Sequence, residues 1–216
     1  RVDVAANRVA EVLEKKVSIR DPEEPLPFPA PFVPMIELRN VSFRYPGAEE
    51  DVLCHINLII RARETVGIIG TTGSGKSTLI NLIPRFYDVT EGEIRISGVD
   101  IRRVRLKDLR DRIGYVPQQS NLFSGTIVSN LRFADEEADE ERLLRALEIA
   151  QAEDIVLSRT GGDGRSPLDA EVAQHGANFS GGQKQRLTIA RALVKQPSIY
   201  IFDDCFSSLD YRTDVR

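Results

Sequence analysis

Gly70-Thr71-Thr72-Gly73-Ser74-Gly75-Lys76-Ser77 is the stretch that decides how this chain reads. It fits the spacing G-x-x-x-x-G-K-[ST], after an apolar run, Val66–Ile69, and before a segment with helical patterning, Lys76–Arg85. The spacing has a chemical reason. Glycines let the backbone turn tightly and aim successive N–H groups at phosphate oxygens. The start of a helix adds the positive end of its dipole. Lys76 is placed to reach β- and γ-phosphates, and Ser77 to put its hydroxyl on Mg²⁺. A plain glycine-rich turn requires neither the lysine nor the flanking strand and helix. The expected ligand is a nucleoside triphosphate, ATP with Mg²⁺, held by Gly70, Thr71, Thr72, Gly73, Ser74, Gly75, Lys76, Ser77 and Thr78.

A phosphate cradle needs a second half, an apolar strand that ends in a carboxylate. Ile199-Tyr200-Ile201-Phe202-Asp203 supplies one. Buried parallel strands read as continuous apolar runs, and open α/β sheets bind ligands at the carboxyl ends of their strands. Asp203 is therefore expected to hold Mg²⁺, directly or through water.

The rest of the chain fits around this pair. Its 216 residues suit one domain, or one domain with an appendage. Hydrophobic residues make up 41% and charged residues 29%, the profile of a globular domain. A net charge of −4 argues against nucleic acid as the main partner. Two cysteines, Cys54 and Cys205, make no disulfide framework and fit a reducing compartment. No apolar run approaches the roughly 18 residues of a membrane span. Residues 1–20 pattern as a helix, and 21–34 hold six prolines and read as a linker. Ile36, Leu38, Val41, Phe43 and Tyr45 suggest a strand with one irregular step. Val52–Ile60, Thr65–Ile69, Glu93–Ile96, Ile113–Val116 and Ser198–Phe202 are further strand candidates. Leu106–Arg112, Asp139–Ala150 and Ser180–Lys195 pattern as helices. Antiparallel-looking strands followed by alternating strands and helices predict an α/β fold beside a smaller β part. The charge runs at 102–112 and 135–141 read as solvated surface, the second opening a helix where carboxylates suit the dipole.

Asn178-Phe179-Ser180-Gly181-Gly182-Gln183-Lys184-Gln185-Arg186 resembles the signature motif, usually written LSGGQ, of the ATP-binding-cassette ATPases. The resemblance extends from Ile36 to Arg216. Tyr45 stands where that family has an aromatic that stacks on adenine. Gln118, in Tyr115-Val116-Pro117-Gln118, stands where it has the Q-loop glutamine, a role that implies both Mg²⁺ binding and catalysis. Ser208-Leu209-Asp210 is similar to its D-loop, and Asn121–Ile127 resembles the exporter type. The resemblance implies a P-loop NTPase core with a mostly parallel sheet, an antiparallel β subdomain and a helical signature subdomain. It also implies a connector helix and linker over 1–34, joined to the chain's own upstream transmembrane domain, and an ATPase domain over 35–216. The whole would sit at the cytoplasmic face of a membrane.

The signature also has a physical logic of its own. Ser180 is a good N-cap, and Gly181 and Gly182 expose N–H groups in the first helical turn, with Gln183 beside them. The family resemblance implies that two cassettes pair head-to-tail, each signature closing on the ATP of the other.

One departure carries weight. After the strand's aspartate the family normally has a glutamate that polarises the attacking water; here the residue is Asp204. The carboxylate loses one methylene, about 1.5 Å of reach. A misplacement of about 1 Å costs on the order of 10²-fold in rate. Asp204, with Gln118 and Lys76, is the expected catalytic set, weakened by that shortening. Together with an otherwise consensus-like signature, it points to one chain of a heterodimeric exporter. A homodimer with slow hydrolysis at both sites is the alternative. A regulatory clamp that occludes ATP, and a non-transport cassette acting on DNA or the ribosome, are the other functional classes. Among lesser features, Cys205 reads as packing, His175 as an ordinary histidine, and Glu171 as the exporter loop that touches the membrane domain. A family cassette continues past the D-loop to a switch histidine. Neither His55 nor His175 lies after Asp210, so the chain reads as a fragment cut at both ends.

Overall fold

The computed structural model describes Ala10, residues 17–159 and residues 166–205. The N-terminal helix expected over 1–20 lies largely outside the described residues, and Asp210 with its D-loop lies wholly outside them. The chain divides into two compact units, Arg1–Asp108 and Leu109–Arg216.

The first unit is built on an antiparallel sheet of four strands, β1 (Ile36–Phe43), β2 (Leu53–Ile60), β3 (Glu91–Ile96) and β4 (Val99–Asp100), in the order β2-β1-β3-β4. Ile36, Leu38, Val41 and Phe43 are buried; the register against β2 shifts between Leu38 and Val41, where their spacing predicts an irregular step, and again between Val41 and Phe43. Asn40 sits there at φ +49, its backbone N–H donating to Asn57 Oδ1 at 2.9 Å. On the neighbouring strand Gly92 has φ +78, and a Cβ there would meet Asn40 O at 2.3 Å and Arg39 O at 2.4 Å. Only glycine satisfies both the conformation and the close approach. Helix α1 (Lys76–Leu82) follows the phosphate-loop sequence and buries Thr78, Leu79 and Leu82. It is shorter than the Lys76–Arg85 pattern suggested, because Arg85 takes φ +56 and binds Asp88 at 2.6 Å.

One expectation for the sheet needs correction. Thr65–Ile69 is not a strand: no described residue pairs with it, and Ile69 is 97% exposed. An apolar run becomes a strand only when a neighbouring edge supplies its hydrogen bonds. Among the described residues the parallel part of the fold is a single strand pair in the second unit.

That pair is β5 (Ile113–Val116) beside β8 (Ile199–Phe202), with Ile113 opposite Ile199 and Val116 opposite Phe202. Helix α2 (Leu106–Asp111) precedes β5. Between the two strands the chain forms α3 (Ile127–Arg132), α4 (Glu140–Ile149), α5 (Glu153–Leu157) and α6 (Gly181–Val194). A two-strand bridge, β6 (Gly125–Thr126) with β7 (Glu171–Val172), completes the unit. The core of this helical part gathers Leu122, Ile127, Leu131, Leu143, Leu147, Phe179 and Leu187. β8 alternates rather than being buried throughout: Ile199 and Ile201 are covered, while Tyr200 and Phe202 are 42% and 40% exposed and stack at 6.2 Å. The acidic run at 135–141 does open a helix, with Asp139 capping α4 by accepting from Arg142 N at 2.8 Å and Asp135 pairing with Arg142 at 2.7 Å.

Candidate functional site

The glycine-rich loop lies in the first unit. Ser74 N donates to Thr71 O at 3.2 Å, closing a turn whose later glycines, Gly73 and Gly75, have φ +83 and +87. A Cβ on Gly75 would come within 2.9 Å of Leu53 Cδ2, so the loop's end is seated on the start of β2. A Cβ on Gly70 would come within 2.6 Å of Ser74 Oγ, whereas one on Gly73 would meet nothing of this chain within 4 Å. Conformation and packing together demand glycine at 75; at 70 the close neighbour is a rotatable serine hydroxyl, and position 73 leaves open room. Lys76 curls back over the loop, Nζ donating to Gly70 O at 2.7 Å and Thr71 O at 2.8 Å. Its ammonium is thereby held over the turn, where a phosphate chain would lie. Gly70, Thr71, Thr72, Gly73, Ser74 and Ser77 are exposed, and no acidic residue occupies the first turn of α1. The cradle therefore fits a polyphosphate in shape and charge.

Thr78 differs from its neighbours in that loop. Its side chain is buried, and its hydroxyl lies 2.9 Å from the Tyr45 hydroxyl. Tyr45 packs edge-on against Phe43 at 4.9 Å and Tyr87 at 5.3 Å. The Tyr45 contact thus ties an aromatic cluster to the helix that carries the phosphate loop, while the ring stays half-exposed.

The carboxylates lie in the second unit, at the end of β8. Asp203 N donates to Val116 O at 3.0 Å, continuing the parallel ladder by one residue. Its Oδ2 accepts from the Tyr115 hydroxyl at 3.2 Å. Burial, and then the Asp203 charge and hydrogen bond, push the Tyr115 hydroxyl's pKa upward, so it stays a donor at neutral pH. Asp204 is exposed at φ +44, a left-handed conformation that aspartate adopts more readily than most residues. Its Oδ2 accepts from Gln118 Nε2 at 3.3 Å. The fold thus brings Gln118 to Asp204, 86 positions away in sequence, at the strand end that also carries Asp203. Mg²⁺ is commonly bound through one or two protein ligands plus substrate phosphates. A carboxylate and an amide oxygen are hard oxygen donors of the kind such an ion takes, and within the second unit Asp203 and Gln118 lie at the same strand end. No larger cluster of metal-binding side chains occurs among the described residues.

Ser180 caps α6 as its sequence predicts. Its side chain accepts from Gln183 N at 3.3 Å, and Gln183 Oε1 accepts from Ser180 N at 3.0 Å, a reciprocal capping box. Ser180 and Gly181 are exposed, and a Cβ on Gly181 would meet nothing within 4 Å. Packing within this chain does not explain that glycine. Asn178 secures the preceding turn, its Nδ2 donating to Glu171 O at 2.8 Å and its Oδ1 accepting from Ala173 N at 3.0 Å. Glu171 itself is exposed and His175 sits at φ +54. Cys205 is fully buried and its thiol is pushed up to about 11, chiefly by that burial. Sequence reasoning assigned no role to Asn178 or to the Tyr115 hydroxyl. The first sits in the quoted motif with nothing to mark its partners, and the second is visible only once β5 and β8 are paired.

Comparison with known proteins places the chain in a family. The family model described as ABC transporter matches residues 53–207. An uncharacterized ABC transporter ATP-binding protein of Mycobacterium tuberculosis is 45% identical over 220 residues, covering 100% of this chain and 36% of that protein. An ATP-dependent lipid A-core flippase of Syntrophus aciditrophicus is 41% identical over 211 residues, covering 98% of this chain and 34% of that protein. Among solved structures, a bacterial Atm1-family ABC exporter with ATP bound superposes with a TM-score of 0.87 at 34% identity, covering 98% of this chain and 36% of that one. The chain thus spans about a third of the length of these relatives. Both the family model, over most of the chain, and the exporter structure, over nearly all of it, lead to one conclusion: the chain belongs to the ABC transporter family and carries its P-loop ATPase domain.

Proposed function

We propose that this chain is the ATP-binding and hydrolysing part of a membrane exporter, with a weakened hydrolytic site of its own. The similarity to a lipid A-core flippase and to a putative multidrug export ATP-binding/permease protein of Staphylococcus aureus, 43% identical over 179 residues, supports the export reading. The substrate class follows these relatives, lipid or multidrug. The domain division is 1–34 as connector from a transmembrane domain and 35–216 as ATPase domain, placed at the cytoplasmic face of the membrane.

In this reading Gly70–Ser77 wrap the triphosphate, Lys76 neutralises β- and γ-oxygens, and Tyr45 offers its ring to the adenine. Mg²⁺, held by Ser77, Asp203 and Gln118, would neutralise charge on the phosphates. Tyr115 orients Asp203 by donating to one of its oxygens. Asp204 is the carboxylate assigned to take a proton from the attacking water, and it is one methylene shorter than glutamate. Ser180, Gly181, Gly182 and Gln183 present a helix start to the ATP of a second cassette.

The observation that carries the two-chain reading is Gly181. Gly181 is exposed at the capped start of α6 and the space over its Cα is open within its own chain, so the first turn of that helix is accessible to a group from a second chain. Asp204 then favours a heterodimer over a homodimer, since a partner with glutamate at this place supplies the efficient site. Single-turnover hydrolysis of labelled ATP by the full-length protein, alone and with its genomic neighbour, tests this. Full-rate hydrolysis at both cradles of a homodimer overturns the heterodimer. ATP occlusion with no turnover at either site makes the chain a regulatory clamp instead.

A further inference from the structure

We infer that Arg159 is a positioning residue for the signature segment, matched to the phenylalanine that stands at position 179. The inference rests on the reading above that Ser180–Gly182 contact ATP on a second cassette.

Arg159 follows α5, and its guanidinium carbon lies 3.8 Å from the centroid of the Phe179 ring. The same guanidinium donates from Nη2 to Asn178 O at 2.5 Å. Phe179 is 6% exposed and belongs to the helical core, with the arginine over its ring. Arg159 Nε is buried without a hydrogen-bond partner among the described residues. A guanidinium held in this way is fixed by stacking and by one carbonyl, and a planar cation suits both contacts better than an ammonium does. The residue immediately after the ring is Ser180, the N-cap whose direction aims the first turn of α6. A second link runs the opposite way: Arg186 of α6 donates to Gln151 O at 2.6 Å and to Asp154 of α5 at 3.2 Å. The two arginines fasten α5 to the start of α6 from both sides. Arg186 acts one to two turns into the helix; Arg159 acts on the two residues that lead into the cap. Leucine at position 179 offers no π face to a cation, so the arginine and the phenylalanine form one device.

The test uses the full-length transporter with its partner. Arg159→Met and Phe179→Leu are made singly and together, and the ATP concentration for half-maximal cassette closure is read from a spin-label distance across the interface. Photolabelling of this chain's own cradle by an ATP analogue, and thermal unfolding, are followed in parallel. Arg159→Met is expected to raise the half-closure concentration about 5-fold when Phe179 is present and less than about 2-fold in the Phe179→Leu background, the signature of a coupled cation–ring pair. Own-cradle labelling should stay within about 2-fold. Equal effects in both backgrounds, or none in either, overturn the inference. Should Arg159→Met not assemble, Arg159→Lys is run through the same two backgrounds, with the same dependence on position 179 expected. Ser180→Arg separates the two levels. If it leaves closure unchanged, the two-cassette reading fails; if it blocks closure while Arg159→Met is silent, only the positioning role fails.

Discussion

Gln118 Nε2 and Asp204 Oδ2 lie 3.3 Å apart, a long hydrogen bond between an exposed amide and an exposed carboxylate on neighbouring strand ends. The contact holds Asp204 to one side with little strength, and the short side chain has little range beyond it. Glu at this position would extend past the amide by about 1.5 Å. Asp204→Glu is therefore expected to raise single-turnover hydrolysis at this chain's cradle by on the order of 10-fold or more. Quench-flow with labelled ATP on the full-length pair checks this, and an unchanged rate removes Asp204 as the limiting feature. The positive φ of +44 makes the same substitution cost up to about 1 kcal/mol of stability, readable in a denaturant titration.

Ser180→Ala removes one half of the capping box that begins α6. The expected loss is about 1 kcal/mol, a fall in Tm of about 2–4 °C for a domain of this size. Calorimetry measures it, and Ser180→Asn, which retains a cap acceptor, should restore most of the loss. A silent alanine would mean that the cap contributes nothing to this helix.

Gly92→Ala places a Cβ against two backbone carbonyls, at 2.3 and 2.4 Å, with φ at +78. Neither obstacle can rotate away as a side chain does. The four-stranded sheet should lose about 2 kcal/mol or more, or fail to form, as followed by urea unfolding. Gly47→Ala is the control: it shares a positive φ of +83 but meets nothing within 4 Å, so it should cost less.

Cys54 is exposed and Cys205 is buried, with the thiol of Cys205 pushed from an ordinary 9 to about 11. Of these two, only Cys54 should react with a thiol reagent at pH 8 in the folded protein, and both in denaturant. The folded state holds the Cys205 proton more tightly than the unfolded chain. Its contribution is therefore fully present below about 9 and is lost as pH rises through about 11. Unfolding measured across that window should show stability falling with pH, and Cys205→Ala should flatten the slope.

Tyr45→Phe keeps the ring and deletes only the hydroxyl that meets buried Thr78 Oγ1 at 2.9 Å. Stability should fall by about 1 kcal/mol while ATP affinity changes by less than about 2-fold, because the ring face offered to adenine is intact. Tyr45→Ala should weaken both. ATP titration of the two variants separates the anchoring hydroxyl from the stacking ring.

Patterns within about a dozen residues carried much of this protein in plain view. The G-x-x-x-x-G-K-S spacing, the apolar run into Asp203 and the Ser180 cap are local, because each depends on backbone geometry over one turn or one strand. The irregular step in β1 was equally legible, since Leu38 and Val41 break the two-residue alternation. Short elements were not: α3 and α5 fall below the window in which helical periodicity registers, and two-residue bridges such as β6–β7 have no pattern to read. The run Val66–Ile69 had a strand's composition, yet pairing belongs to an edge elsewhere in the chain, which composition cannot supply. Folding alone decided which partners meet. Gln118 reached Asp204 and Tyr115 reached Asp203 because β5 and β8 lie side by side, and Arg159, just past α5, reached Phe179, just ahead of α6. Residue types near a motif announce what chemistry is available; contacts between residues 20 to 88 positions apart exist only after the entropy of closing those loops has been offset by a packed core.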